Sequence, residues 1–323
     1  VIKKILLTAI IINGLHYDSN SQKVEEFVGS ALELAKSGEY NHAMAIYDEA
    51  IRMYPKDPIL YVLKGELITK FNKRLTANEN LYQMALQEFN YALKLDSTFW
   101  QAYSSRALLH FTHQKFDLAI EDLSAVLRLT RGDNEAQFNA LADRANAKYY
   151  KRDYEGAIQD YNQALTIQPS NIRVHLNLAT LYMGLNQFDI AETKFKKILQ
   201  KEPTNIDAWN NLSALYLKQS KLKKAIALLE KAIRIYPNAP ELYSNLGLAK
   251  ILTGQPKEAL ILINKSLSLN PEDSYAYKHR AMAYIELGKC KEACEDLITA
   301  NRLGYSISFD DEVNMMINEN CKN

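Results

Sequence analysis

Residues 172–205 read IRVHLNLATLYMGLNQFDIAETKFKKILQKEPTN, and residues 206–239 read IDAWNNLSALYLKQSKLKKAIALLEKAIRIYPNA. Laid over each other they match in register. His175 falls on Trp209, Asn177 on Asn211, Leu178 on Leu212, Tyr182 on Tyr216, Ala191 on Ala225 and Pro203 on Pro237, each pair 34 residues apart. A fixed period of that length marks a helical solenoid, in which each unit buries its apolar face against the next.

The period runs outward from this stretch in both directions. An alanine early in the second helix recurs as Ala43, Ala85, Ala119, Ala157, Ala191, Ala225, Ala259 and Ala293. It is small because the two helices of a unit cross there and a larger side chain would push them apart. A large, mostly aromatic residue opens the first helix: Phe27, Tyr61, Tyr103, Leu141, His175, Trp209, Tyr243 and Tyr277. Four positions later stands a small residue: Ala31, Gly65, Ala107, Ala145, Ala179, Ser213, Gly247 and Ala281. Pro55, Pro169, Pro203, Pro237 and Pro271 close five of the units, since proline cannot continue a helix interior.

These positions resemble those of the tetratricopeptide repeat (TPR) family. The resemblance covers about residues 24–305 in eight units: 24–57, 58–99, 100–133, 138–171, 172–205, 206–239, 240–273 and 274–305. It implies an all-α fold, a right-handed superhelical solenoid of helix-turn-helix repeats. Ser97, Arg131 and Tyr305 depart from the closing proline, and Val126 from a usual alanine of helix B. Two excesses over the period can be placed. Eight residues lie within Phe71–Asn80, a loop where Thr76 and Glu79 have capping-box spacing. Four more, Asn134–Gln137, are expected to lengthen a helix or a loop between repeats 3 and 4. Repeats 4 to 8 are then expected to stack without interruption.

The termini carry their own signals. Lys3 and Lys4 precede an apolar run, Ile5–Leu15, and Ser19 and Ser21 precede Gln22. This is the layout of a secretory signal peptide over 1–21, removed before Gln22. The alternative is a buried N-terminal helix. The first reading predicts an exported, periplasmic or secreted chain with no membrane span after processing, the second a cytoplasmic one. At the other end Phe309, Val313, Met316 and Ile317 share a helical face, which predicts a capping helix within 306–323.

Composition excludes some classes. With 39 basic and 38 acidic residues, the net charge of +1 offers no footprint for nucleic acid or an anionic membrane. No phosphate loop, nucleophile elbow or His-Glu-x-x-His motif is present, so neither enzyme nor cofactor is expected. His110 and His113 are three apart but lack a third ligand, so no metal is expected. Cys290 and Cys294 share a helical face, and in an oxidising compartment either would pair with Cys321. The other reading is three free thiols.

The polar residues point to binding. Counting Ile172, Ile206, Pro240 and Ser274 as position 1, position 6 is Asn177, Asn211 and Asn245 in consecutive repeats, flanked by Asp143 and His279. A row of amides presents both a donor and an acceptor, matching a peptide bond. It resembles the asparagine ladder in the repeats of O-GlcNAc transferase, whose catalytic domain has no counterpart in these residues. The resemblance implies an extended peptide held along the groove. Asparagines that merely bond to the backbone of the neighbouring helix are the alternative. Family positions 2 and 5 add Arg173, Asn210, Ser244 and Lys278 as groove contacts. The expected function is a non-enzymatic scaffold binding a protein or peptide. The second possibility is a structural subunit of a cell-envelope assembly, held through edges such as Phe71–Asn80.

Overall fold

The structure, a computed structural model, describes residues 19–72, 79–304 and 312–321. The signal-peptide segment up to Asp18, most of the Phe71–Asn80 loop including Thr76, and Phe309–Asp311 lie outside the described residues. Seventeen helices and no strand are present among those described. Repeat 1 is α1 (Ser19–Ser37) and α2 (Tyr40–Met53), and repeat 2 is α3 (Pro58–Asn72) and α4 (Glu79–Leu95). Repeat 3 is α5 (Trp100–Thr112) and α6 (Phe116–Leu129), and repeat 4 is α7 (Asn134–Tyr150) and α8 (Tyr154–Ile167). Repeat 5 is α9 (Ile172–Gly184) and α10 (Phe188–Lys201), and repeat 6 is α11 (Ile206–Lys218) and α12 (Leu222–Ile235). Repeat 7 is α13 (Pro240–Leu252) and α14 (Pro256–Leu269), repeat 8 is α15 (Ser274–Glu286) and α16 (Cys290–Arg302), and α17 (Glu312–Asn320) follows. A cut before Gln22 would fall in the first turn of α1.

The helices form two compact units, Val1–Pro169 and Ser170–Asn323, so repeats 4 and 5 belong to different units. The sequence, read as one uninterrupted stack of repeats 4 to 8, gave no sign of that division.

Seven of the eight repeats turn the same way. Position 15 has a left-handed backbone in seven repeats, at Gly38, Gln114, Arg152, Asn186, Ser220, Gly254 and Gly288. The next N–H bonds back across the turn, as from Gln187 to Tyr182 O (2.9 Å) and from Lys221 to Tyr216 O (2.8 Å). This six-to-one closure is a Schellman motif, which satisfies the last carbonyls of helix A. Only three of the seven residues are glycine, so turn composition alone would have missed most of them.

Packing follows from the small positions. All eight position-20 alanines are completely buried. A Cβ on Gly65 would sit 2.7 Å from Phe89 Cε1, and one on Gly247 2.4 Å from Ile263 Cγ1. The aromatic at position 4 is both packed and polar-tipped. Tyr61 Oη, Trp209 Nε1 and Tyr243 Oη donate to the carbonyls of Pro55 (3.0 Å), Pro203 (2.8 Å) and Pro237 (2.9 Å). Each bond ties helix A to the end of the preceding repeat. The extra residues Asn134–Gln137 lengthen helix α7 to 17 residues against 13 in α9. Gln137 there donates to Leu127 O (2.8 Å) and Thr130 Oγ1 (3.0 Å), tying α7 to the end of α6.

Positions 7 and 23 face each other across the helix crossing. In repeats 2, 3, 4 and 8 they are ion pairs: Lys64–Glu88 (2.7 Å), Arg106–Asp122 (2.6 Å), Arg144–Asp160 (2.7 Å) and Arg280–Asp296 (2.7 Å). The three arginines also reach the preceding helix B, at Asn90, Ser124 and Asn264. In repeats 6 and 7 leucines stand there instead, Leu212 with Leu228 and Leu246 with Leu262.

The C-terminal helix caps repeat 8. Val313 is completely buried against Ala281, Ala293, Leu297 and Ala300, with Met316 and Ile317 beside it. Cys294 is disulfide-bonded to Cys321, whereas Cys290 is a free, exposed thiol. The bond closes a loop of 27 residues. Reduction is expected to cost about 2–4 kcal/mol, concentrated in α17. Hydrogen exchange with and without reductant checks this, and unchanged α17 protection would refute it.

Candidate functional site

In the second unit the A helices α9, α11, α13 and α15 touch one another in sequence, while successive B helices make no comparable contact. The face lined by A helices is therefore the inner side of the curve in that unit. Asn177, Asn210, Asn211 and Asn245 lie half-buried along it, and Arg173 is exposed at its start. Asp143 belongs to the first unit, where it is exposed on α7.

Position 6 bonds to the neighbouring helix through side chains, not backbone. Asn211 Nδ2 donates to Thr180 Oγ1 (3.3 Å), and Asn245 Nδ2 donates to Asn210 Oδ1 (2.6 Å). Ser244 and His279 pair in the same register as Asn210 and Asn245, Oγ to Nδ1 at 2.8 Å. In the first unit, Ser105 at position 6 donates to Glu66 Oε1 (2.6 Å), whose carboxyl burial raises above its usual range. At Ser105, Asn211, Asn245 and His279, position 6 is thus a strut between consecutive A helices.

Three expected groove contacts are corrected. Ser244, Lys278 and His279 are buried, at 2%, 8% and 5% exposure. Ser244 and His279 satisfy each other, and Lys278 Nζ pairs with Glu312 of the capping helix (2.6 Å). Side chains of adjoining helices cover these positions, which a single repeat cannot reveal. A spacing of 35 residues, shared by Asn210–Asn245 and Ser244–His279, is the signal that could have disclosed the struts.

His279 also carries a pH dependence. Burial, with Lys278 adjacent, pushes its imidazole down to about 3 from 6.5. Only the unfolded chain then takes up the proton readily. The His279 contribution is complete above about 6.5 and falls as pH drops toward 3, by up to about 1.4 kcal/mol per pH unit. His110, lowered by burial as well, acts in the same direction. Melting curves between pH 7 and 5 are expected to shift less in His279→Asn than in the wild type, and equal shifts would refute the assignment.

His110 is buried against Tyr82, its Nδ1 3.0 Å from the phenol oxygen, and His113 Nδ1 lies 2.9 Å from Leu109 O. Among the described residues no three His, Cys, Asp or Glu side chains converge as a metal site, and no helix is long and apolar enough to cross a membrane.

Comparisons with known proteins agree on the repeat. Family models described as tetratricopeptide repeat match residues 29–57, 176–240 and 216–283, and one described as TPR repeat matches 145–186. Human tetratricopeptide repeat protein 6 is 26% identical over 166 residues, 50% of this chain and 30% of that protein. Mouse dynein axonemal assembly factor 4 is 34% identical over 150 residues, 43% of this chain and 34% of that protein. The chain thus spans about a third of the length of these relatives. A crystal structure of a tetratricopeptide repeat protein from Parabacteroides merdae superposes with a TM-score of 0.62 at 21% identity, covering 81% of this chain and 99% of that one. The Cut9–Hcn1 structure of the APC/C gives 0.56 at 14% identity, covering 88% and 53%. At such identities the likeness is one of fold.

Proposed function

The chain belongs to the tetratricopeptide repeat family, whose members generally act by binding other proteins, and on that premise we propose that it is a non-enzymatic scaffold that holds an extended partner segment. The segment lies on the inner face of α9, α11 and α13. The observation that carries this reading is the disposition of the amides. Asn211 and Asn245 use an N–H to brace the preceding helix, which orients their oxygens one per repeat. A row of fixed acceptors suits the N–H groups of an extended backbone, each bond contributing about 0.5–1.5 kcal/mol net. Arg173, exposed in the first turn of α9, offers a charge-assisted contact.

The test compares pull-downs by the wild type and the Asn177→Ala, Asn211→Ala, Asn245→Ala variant, with circular dichroism melts as the folding control. A partner lost from the variant at unchanged helicity is expected. Hydrogen exchange of the wild type with the captured partner should then show protection in α9, α11 and α13. A partner retained at full strength, or protection confined to other helices, overturns the proposal.

A further inference from the structure

Near neutrality overall conceals a local excess. Residues 172–239 contain 11 lysines and arginines against five aspartates and glutamates. The excess sits mainly on the B helices, away from the inner face, and it is periodic. Position 18 is Lys223, Lys257 and Lys291 in repeats 6, 7 and 8, and position 26 is Lys197, Lys231 and Lys265 in repeats 5, 6 and 7. All six are exposed, and none forms an ion pair among the described residues. Their acidic neighbours are partly engaged: Glu258 with Lys250 (2.9 Å), Glu292 with Lys289 (3.9 Å) and Glu192 with Lys196 (2.7 Å). Between Lys257 and Lys265, one turn from each, stands Ile261, 73% exposed. It has the greatest exposure among the large hydrophobics of the described residues.

We propose that the outer face of α10, α12, α14 and α16 docks an acidic polypeptide segment of a partner protein, with its carboxylates on the two lysine rows and an apolar side chain against Ile261. The charge is complementary, and the spacing suits a polypeptide. Successive rungs lie roughly 10 Å apart or slightly more, a distance that an extended chain covers in about three to four residues. A nucleic acid fits less well. These helices expose no aromatic side chain for bases to stack on, and Glu230 and Glu295 stand exposed among the lysines. A membrane surface would require an apolar face, and one isoleucine does not make one. This surface is separate from the amide row, so the two proposals fail independently.

The experiment measures fluorescence anisotropy of a labelled peptide with glutamate at every third residue and leucines between, beside its glutamine counterpart. The glutamate peptide is expected to bind the wild type in a salt-sensitive manner, and the glutamine peptide is not. Lys223→Gln, Lys257→Gln, Lys291→Gln should weaken binding about tenfold, the sum of three exposed ion pairs, without changing the melting temperature. Replacing Asn177, Asn211 and Asn245 should leave it unaltered. Equal affinity for both peptides, no binding of either, or no loss in the lysine variant overturns the proposal. So does tighter binding to single-stranded RNA or phosphatidylserine vesicles, or lysine-dependent self-association in light scattering.

Discussion

Asp160→Ala is expected to lower the unfolding free energy by about 3–5 kcal/mol, because it strands two cations in the helix crossing of repeat 4. The Asp160 carboxylate is almost wholly buried and accepts from Arg144 Nε (2.8 Å) and Nη2 (2.7 Å), with Lys148 Nζ at 2.8 Å. The carboxylate is the buried partner, at 2% exposure, while the Arg144 and Lys148 side chains keep 19% and 17%. Urea unfolding followed by circular dichroism measures the loss. The repeats themselves supply a control, since repeats 6 and 7 carry leucine at both positions. Arg144→Leu combined with Asp160→Leu is expected to recover part of the loss, because it removes one of the two stranded cations and leaves only Lys148 without its carboxylate. A double variant as unstable as Asp160→Ala would mean that the pair itself, not the orphaned charge, carries the energy.

Gly247→Val is expected to cost about 3 kcal/mol or slightly more, at the upper end for overpacking. Even a bare Cβ there meets Ile263 Cγ1 at 2.4 Å, and Ile263 is completely buried with no room to retreat. Gly29 in α1 makes the contrast, since a Cβ added there meets nothing within 4 Å. Gly29→Ala should instead stabilise by about 0.5–1 kcal/mol through helix propensity. Thermal melts of the two variants separate crowding from propensity. A neutral Gly247→Val would show that α13 and α14 can move apart.

How much of the site was legible follows from what each residue depends on. The row Asn177, Asn211 and Asn245 was visible because one residue per repeat at a fixed position must share a face. Its chemistry was not, because whether an amide points at a ligand or at Thr180 and Asn210 depends on the neighbouring helix. Ser244, Lys278 and His279 looked equally available in the sequence, yet packed neighbours bury them, and Glu312 of the capping helix pairs with Lys278. The arginine–aspartate clamps went unread because position 7 and position 23 meet only after the hairpin closes.

The sequence by itself determined the repeat. The period, the alanine at each crossing, the aromatic at position 4 and the closing proline act within one helix pair or between adjacent pairs, and each repeats often enough to be unmistakable. Tertiary structure alone decided which polar groups are used up. It chose Cys294 over Cys290 for Cys321, placed the chain's division after repeat 4, and turned Asn211 and Asn245 into struts between helices. The physical reason is range. Apolar packing needs only size and period, which a string of letters preserves. A hydrogen bond or disulfide needs two groups within a few ångströms, which depends on how whole helices lie against one another.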